Sequence, residues 1–149
     1  MKIQVIGSGS MWTAYNSACY LIDDDIMVDF PNGACKYLYR LDIKPNTINH
    51  ILLTHFHGDH YFDMPFYILN KSKSENKKAR IYCSKEGKGK INKIGNLAFP
   101  NSFKDACSAL DLKYRFSNLF ITPLNLNEVI KGVEGFKPII CSVSFALNK

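Results

Sequence analysis

Apolar positions recur along this chain with two periods, and the switches between them mark its elements. Ile3 and Val5 lead into Gly7-Ser8-Gly9-Ser10, which reads as a strand entering a tight loop. A Gly-x-Gly after a strand suggests a dinucleotide fingerprint, but Trp12 stands where the third glycine would be needed and no helical pattern follows. A turn that lets backbone approach a neighbouring loop or ligand is the better reading. Residues 17–22 and 26–30 are apolar runs split by Asp23-Asp24-Asp25, the pattern of a β-hairpin with an acidic turn. Asp29 stands out there, because a carboxylate in an apolar strand is costly unless paired. Pro31-Asn32-Gly33 breaks the run, and Ala34, Tyr37, Leu38 and Leu41 then follow helical spacing. Residues 48–53 read as a buried strand, which makes the order β-β-β-α-β.

Beyond residue 60, Tyr61, Met64, Phe66, Tyr67 and Leu69 form a helical apolar surface, with Pro65 in its first turn or kinking it. Residues 71–78 read as a polar surface loop and 81–84 as a strand. Ile91, Ile94 and Leu97 are spaced for a helix, although Gly87, Gly89 and Gly95 make it a poor one. Residues 101–112 suggest a further short helix. From Tyr114 on, the pattern predicts short strands at 119–121, 128–130 and 136–145. No repeat, low-complexity tract or linker divides the chain, so residues 1–149 are expected to belong to one domain.

Composition changes this picture little. The chain has 149 residues, enough to bury roughly 68% of the unfolded surface. It is 46% hydrophobic, with no apolar run of membrane-spanning length, and its N-terminus reads as a strand rather than a signal peptide. Five scattered cysteines without a Cys-x-x-Cys suit reduced, buried thiols, and hence a cytoplasmic protein. Charge is more informative. The net charge is +6, yet residues 71–93 hold nine basic residues against Glu75 and Glu86, which leaves −1 for the rest. Such a field attracts phosphate-rich substrates, nucleic acid among them; its plainer reading is a solvated loop and helix face.

Candidate chemistry concentrates in Thr54-His55-Phe56-His57-Gly58-Asp59-His60, which holds three of the four histidines. On extended backbone His55 and His57 point the same way, Asp59 shares their parity, and His60 stands where a helix would begin and return its ring. Two imidazoles for one ion, with a carboxylate and an imidazole for a second, is a plausible binuclear arrangement. This donor set favours zinc, with manganese or iron as alternatives. Gly58 would let the loop turn its ligands inward. A chance cluster or a set of helix caps is the plain alternative, and four potential ligands in six residues argue against it. His50 lies outside the group and reads as an edge or core histidine.

The segment resembles the His-x-His-x-Asp-His signature of the metallo-β-lactamase superfamily. Ile6-Gly7-Ser8-Gly9-Ser10, Asn16 and Val28-Asp29-Phe30-Pro31-Asn32-Gly33 resemble its ribonuclease Z-like branch. The similarity extends over roughly the first hundred residues. It implies an α+β fold, an αββα sandwich of which this chain would hold the N-terminal half. It further implies a hydrolase in which a metal-bound hydroxide attacks a phosphodiester or other ester-type bond. His55 and His57 would hold the first zinc, and Asp59 and His60 the second. Asp59 would also orient or deprotonate the attacking water, and Asp29 would brace the ligand loop. The family pattern also calls for later ligands, but no histidine follows His60; residues 136–145 offer Cys141, which better suits a buried structural thiol. A half-sandwich would leave an apolar sheet face bare, so the chain is expected to form a homodimer over it, bind a partner there or be unstable. The competing expectation is a non-catalytic half-domain that acts by association.

Overall fold

The computed structural model describes residues 1–116. Strands β1 (Ile3–Gly7), β2 (Cys19–Ile22) and β3 (Ile26–Val28) form an antiparallel meander, as the hydrophobic pattern predicts. Asp23 and Asp24 take positive φ in the β2–β3 turn, closed by Asp25 N–H donating to the Ile22 carbonyl at 3.1 Å. Short polar side chains tolerate that region, and it matches the twist of a hairpin. Helix α1 (Ala34–Arg40) and a 3-10 turn at Pro45–Thr47 lead to β4 (His50–Leu52), parallel to β3. A single helical turn α2 (Gly58–Tyr61) and α3 (Met64–Lys71), with Pro65 in its first turn, connect to β5 (Lys78–Cys83). Helices α4 (Gly87–Ala98) and α5 (Ser102–Ala109) lead to β6 (Asp111–Phe116).

The sheet order is β1-β2-β3-β4-β5-β6, with β3 to β6 parallel. Three successive crossovers advance in one direction, and the handedness rule then puts their helices on one face. Met27, Ile51 and Ile81 pack there with Leu38, Tyr67 and Ile91 in the main core. Residues of the other parity, Ile22, Ile26, Val28, Leu52 and Tyr82, form a second buried cluster. The expected bare sheet face is therefore not observed, since these side chains are buried. His50 is buried as expected, with its Nδ1 3.3 Å from the Tyr82 hydroxyl.

Three further expectations need correction. Residues 87–98 form a regular helix despite their glycines, because close packing requires one of them. A Cβ on Gly95 would sit 2.4 Å from the Phe103 ring, whereas one on Gly89 would meet nothing. The segment 101–112 is not all helix: its last residues begin β6, paired in register from Lys78↔Asp111 to Cys83↔Phe116. Lys71 is not on a surface loop. It is fully buried, and its Nζ donates to the Asn46 carbonyl at 2.8 Å and Asn49 Oδ1 at 2.7 Å. Arg80 is also interior, held by the backbone carbonyl and carboxylate of Asp111. The predicted strands beyond residue 116, and Cys141, lie outside the described residues. Cys19, Cys35, Cys83 and Cys107 are free thiols, the first three buried. Among the described residues no helix is long and apolar enough to cross a membrane.

Gly89→Ala should stabilise the fold by about 0.5–1 kcal/mol through helix propensity, while Gly95→Ala should destabilise it by about 1–3 kcal/mol through overpacking. Urea denaturation of the two variants checks both signs. Burial pushes the Lys71 ammonium down to about 8. The folded chain then binds fewer protons than the unfolded one between that value and about 10.4. Wild type should therefore gain stability relative to Lys71→Met as pH rises through that window, measured as the difference between their denaturation midpoints.

Candidate metal centre

Every strand except β2 runs in the same direction, so β3 and β4 end side by side, and the residues after them meet. After β3 comes Asp29, 5% exposed and in the left-handed region at φ 58°. Its N–H donates to the Leu52 carbonyl at 2.8 Å, Phe30 N–H to the His60 carbonyl at 2.7 Å, and Asp63 N–H to the Phe30 carbonyl at 3.2 Å. This zips residues 29–30 between the end of β4 and the start of α2. A non-glycine residue at such φ is strained, and persists when its surroundings over-determine it.

The Asp29 carboxylate accepts from Thr54 N–H at 2.8 Å, from the Thr54 hydroxyl at 2.8 Å and from His60 Nδ1 at 2.7 Å. A carboxylate only accepts, so each partner must donate. His60 therefore carries a proton on Nδ1, and in its neutral form leaves Nε2 free. The Thr54 hydroxyl gives its hydrogen to Asp29 and can only accept from His55 Nδ1, 3.0 Å away. In neutral His55 this leaves Nε2 as a lone pair, and burial, followed by the neighbouring His60, pushes its pKa down. The hydrogen bond that His60 donates to Asp29 instead pushes its pKa up. Thus one carboxylate sets the tautomers of two imidazoles, one directly and one through a hydroxyl.

The predicted site residues are brought together. His55 Nε2 lies 3.2 Å from Nδ1 of His57, which is exposed on extended backbone, and the His55 and His60 ring centroids are 3.9 Å apart. Asp59 Oδ2 is 3.7 Å from His60 Nε2, while Asp59 Oδ1 is buried without a hydrogen-bond partner. Among the described residues, however, no three of His, Cys, Asp or Glu converge as a complete ligand set. Gly58 is needed for space rather than for turning: its φ is ordinary, and a Cβ there would strike the Phe62 ring at 2.7 Å.

Three residues that matter here carry no conspicuous signal in the sequence. Thr54 is the hydroxyl relay. Phe56 faces inward between the ligands, packs on Tyr61 with centroids 4.9 Å apart, and lies 5.2 Å below Lys90 Nζ. Asp63 does not cap its own helix; it accepts from Gly33 and Cys35 N–H at 3.0 and 2.8 Å, tying α3 to the start of α1. A polar residue directly before the first histidine was the only hint of the relay.

The family model described as Anti-Pycsar protein Apyc1 matches residues 1–96. The chain belongs to that family. Ribonuclease Z of Streptococcus pyogenes is similar to this Apyc1-family chain, 31% identical over 80 residues, which is 48% of the chain and 26% of the relative. The chain thus spans about a quarter of the length of the curated relatives it matches. Human tRNase Z, short form, superposes with TM-score 0.57 at 21% identity over 66% of this chain and 39% of that one. The metallo-β-lactamase fold protein YhfI of Bacillus subtilis does so with TM-score 0.55 at 17% identity over 77% of this chain and 46% of that one. These likenesses bear out the metallo-β-lactamase fold, its ribonuclease Z-like branch, and partial coverage of the domain.

A metal is implied by this fold, and the Apyc1-family chain fits one in chemistry. Tetrahedral zinc with nitrogens at about 2.0–2.1 Å sets ligand nitrogens roughly 3.3 Å apart, close to the 3.2 Å between His55 and His57. The orphaned Asp59 Oδ1 is a buried acceptor awaiting a cation or donor.

Thr54→Val should cost about 1–2 kcal/mol of stability, because Asp29 and His55 both lose a partner, whereas Thr54→Ser should stay within about 0.5 kcal/mol of wild type. Urea melts in the presence of a chelator check this without any contribution from metal.

Proposed function

We propose that the loop from Thr54 to His60 is the centre of a metal-dependent hydrolase acting on phosphodiester or related ester bonds. His55, His57, Asp59 and His60 would hold zinc, with manganese or iron as alternatives. The orphaned carboxylate oxygen of Asp59, beside imidazoles with directed lone pairs, carries this reading. An ion held there supplies a Lewis acid and lowers the pKa of water. The chain's own residues do the rest. Asp29 and Thr54 fix the tautomers in which neutral His60 and His55 present Nε2 as the free nitrogen, and Asp59 Oδ1 is the atom that orients the attacking water and takes its proton.

The names of the ribonuclease Z relatives support a phosphodiester as the substrate bond, and so does the charge beside the site. Lys88, Lys90 and Lys93 are exposed along α4 and Lys85 just before it, with Lys90 over Phe56 in the motif itself. With Lys71 and Arg80 buried, the cationic surface is smaller than the sequence count, but it lies at the site. The second reading is a non-catalytic module acting by association. The absence of three converged ligands among the described residues favours it.

The purified chain should bind zinc, and with zinc or manganese should hydrolyse bis(p-nitrophenyl) phosphate. His57→Ala should lower that rate at least roughly 100-fold, since partners behind metal ligands alone account for 10–100-fold. No bound zinc, or equal rates for the two proteins, would establish the non-catalytic reading instead.

A further inference from the structure

The loop joining β1 to β2 places its apolar side chains in water while its backbone is well bonded. At its base Gly9 N–H donates to the Asn16 carbonyl at 2.8 Å, and Ala18 N–H to the Gly9 carbonyl at 3.0 Å. At its tip residues 10–13 form a turn closed by Thr13 N–H to the Ser10 carbonyl at 3.1 Å. The Thr13 hydroxyl reinforces that turn, donating to the Ser10 carbonyl at 3.0 Å and accepting from Ser10 N–H at 3.1 Å. The loop lies flat on Gly9, where a Cβ would come within 2.4 Å of Thr13 Oγ1 and 2.8 Å of the Tyr15 carbonyl oxygen. It nevertheless leaves Trp12 89% and Tyr15 76% exposed, with Met11 beside them. An ordered turn that presents large apolar groups to solvent marks a contact surface.

Its position indicates what it contacts. β1 runs parallel to β3 and β4, so the loop opens at the end of the sheet where Asp29 and the histidines lie. Cys19, the first residue after the loop, pairs with Gly7, and the next residue, Tyr20, pairs with Val28, so the loop base lies level with Asp29. Two to three strand spacings, about 10–14 Å, separate the loop from β4. On the opposite flank stand Lys88 and Lys90 of α4. An aromatic shelf, a carboxylate–imidazole centre and a cationic edge therefore follow one another across one end of the sheet. That sequence matches a ligand carrying a planar ring at a distance from a phosphate.

We propose that the turn at residues 10–13 is a stacking platform for a nucleobase of the substrate, with Trp12 the residue that determines specificity for base-bearing phosphodiesters. This rests on the hydrolase reading above. Tyr15 widens the shelf, and stacking tolerates any base because each has a π-face.

Trp12 is the only tryptophan in the 149 residues, so indole fluorescence reports from this turn alone. In metal-free buffer, AMP should quench it saturably and ribose 5-phosphate should not. By calorimetry, Trp12→Ala should weaken AMP binding roughly 5- to 100-fold, and Trp12→Phe should retain most of it. An unchanged thermal midpoint for both variants would show that folding is intact, as expected for so exposed a residue. Equal quenching by ribose 5-phosphate, no quenching by AMP, or undiminished AMP binding by Trp12→Ala would overturn the proposal. So would a fluorescence shift driven by protein concentration alone with a dimer mass in sedimentation, which would assign the turn to a second copy. Because the readout is binding without turnover, a chain that stacks AMP but hydrolyses nothing would defeat only the hydrolase reading.

Discussion

The Asp29 carboxylate is the group on which the site depends. It sits at the C-terminal end of β3 in a left-handed conformation that costs on the order of 1–3 kcal/mol, and its side chain is nearly inaccessible to water. A buried charge in that position must be satisfied, and Thr54 and His60 satisfy it. The same bonds decide where the protons on His60 and His55 reside. The interaction that stabilises an awkward carboxylate is thereby the one that prepares two imidazole lone pairs.

Around this core the fold supplies rigidity from one face and chemistry from the ends. Asp63 ties α3 to the start of α1, and Phe56 fills the space between Tyr61 and α4. The loop from Thr54 to His60 is thus anchored through its apolar member while its histidines stay partly exposed. Because β1 and β3 through β6 point the same way, loops distant in sequence share one rim. The rim carries aromatic, imidazole–carboxylate and cationic groups in spatial order, and that order is a property of topology rather than of any single motif.

Local pattern predicted much of this. The β-β-β-α-β order, the acidic hairpin turn, the helix beginning near Pro65 and the clustering of His55, His57, Asp59 and His60 were legible because each depends on neighbours within a few residues. The anomaly of Asp29 was also legible as a cost, although its partners were not. The helix at residues 87–98 is obscured in the sequence because propensity counts each glycine as a loss, whereas Gly95 is required by a phenylalanine eight residues further on. The burial of Lys71 is invisible in the sequence because a lysine-rich run looks solvated, and only the packing of α3 against the turn after α1 buries it.

By itself the sequence determined the His-x-His-x-Asp-His motif, the strand before it and the family to which they point, since spacing along an extended backbone is enough to align side chains. Tertiary structure alone decided which histidine nitrogens are free, which cations reach the site and where Trp12 stands. Those properties arise from hydrogen bonds between β3 and β4, from burial, and from strand direction. Each depends on segments far apart in the chain, about which local periodicity carries no information.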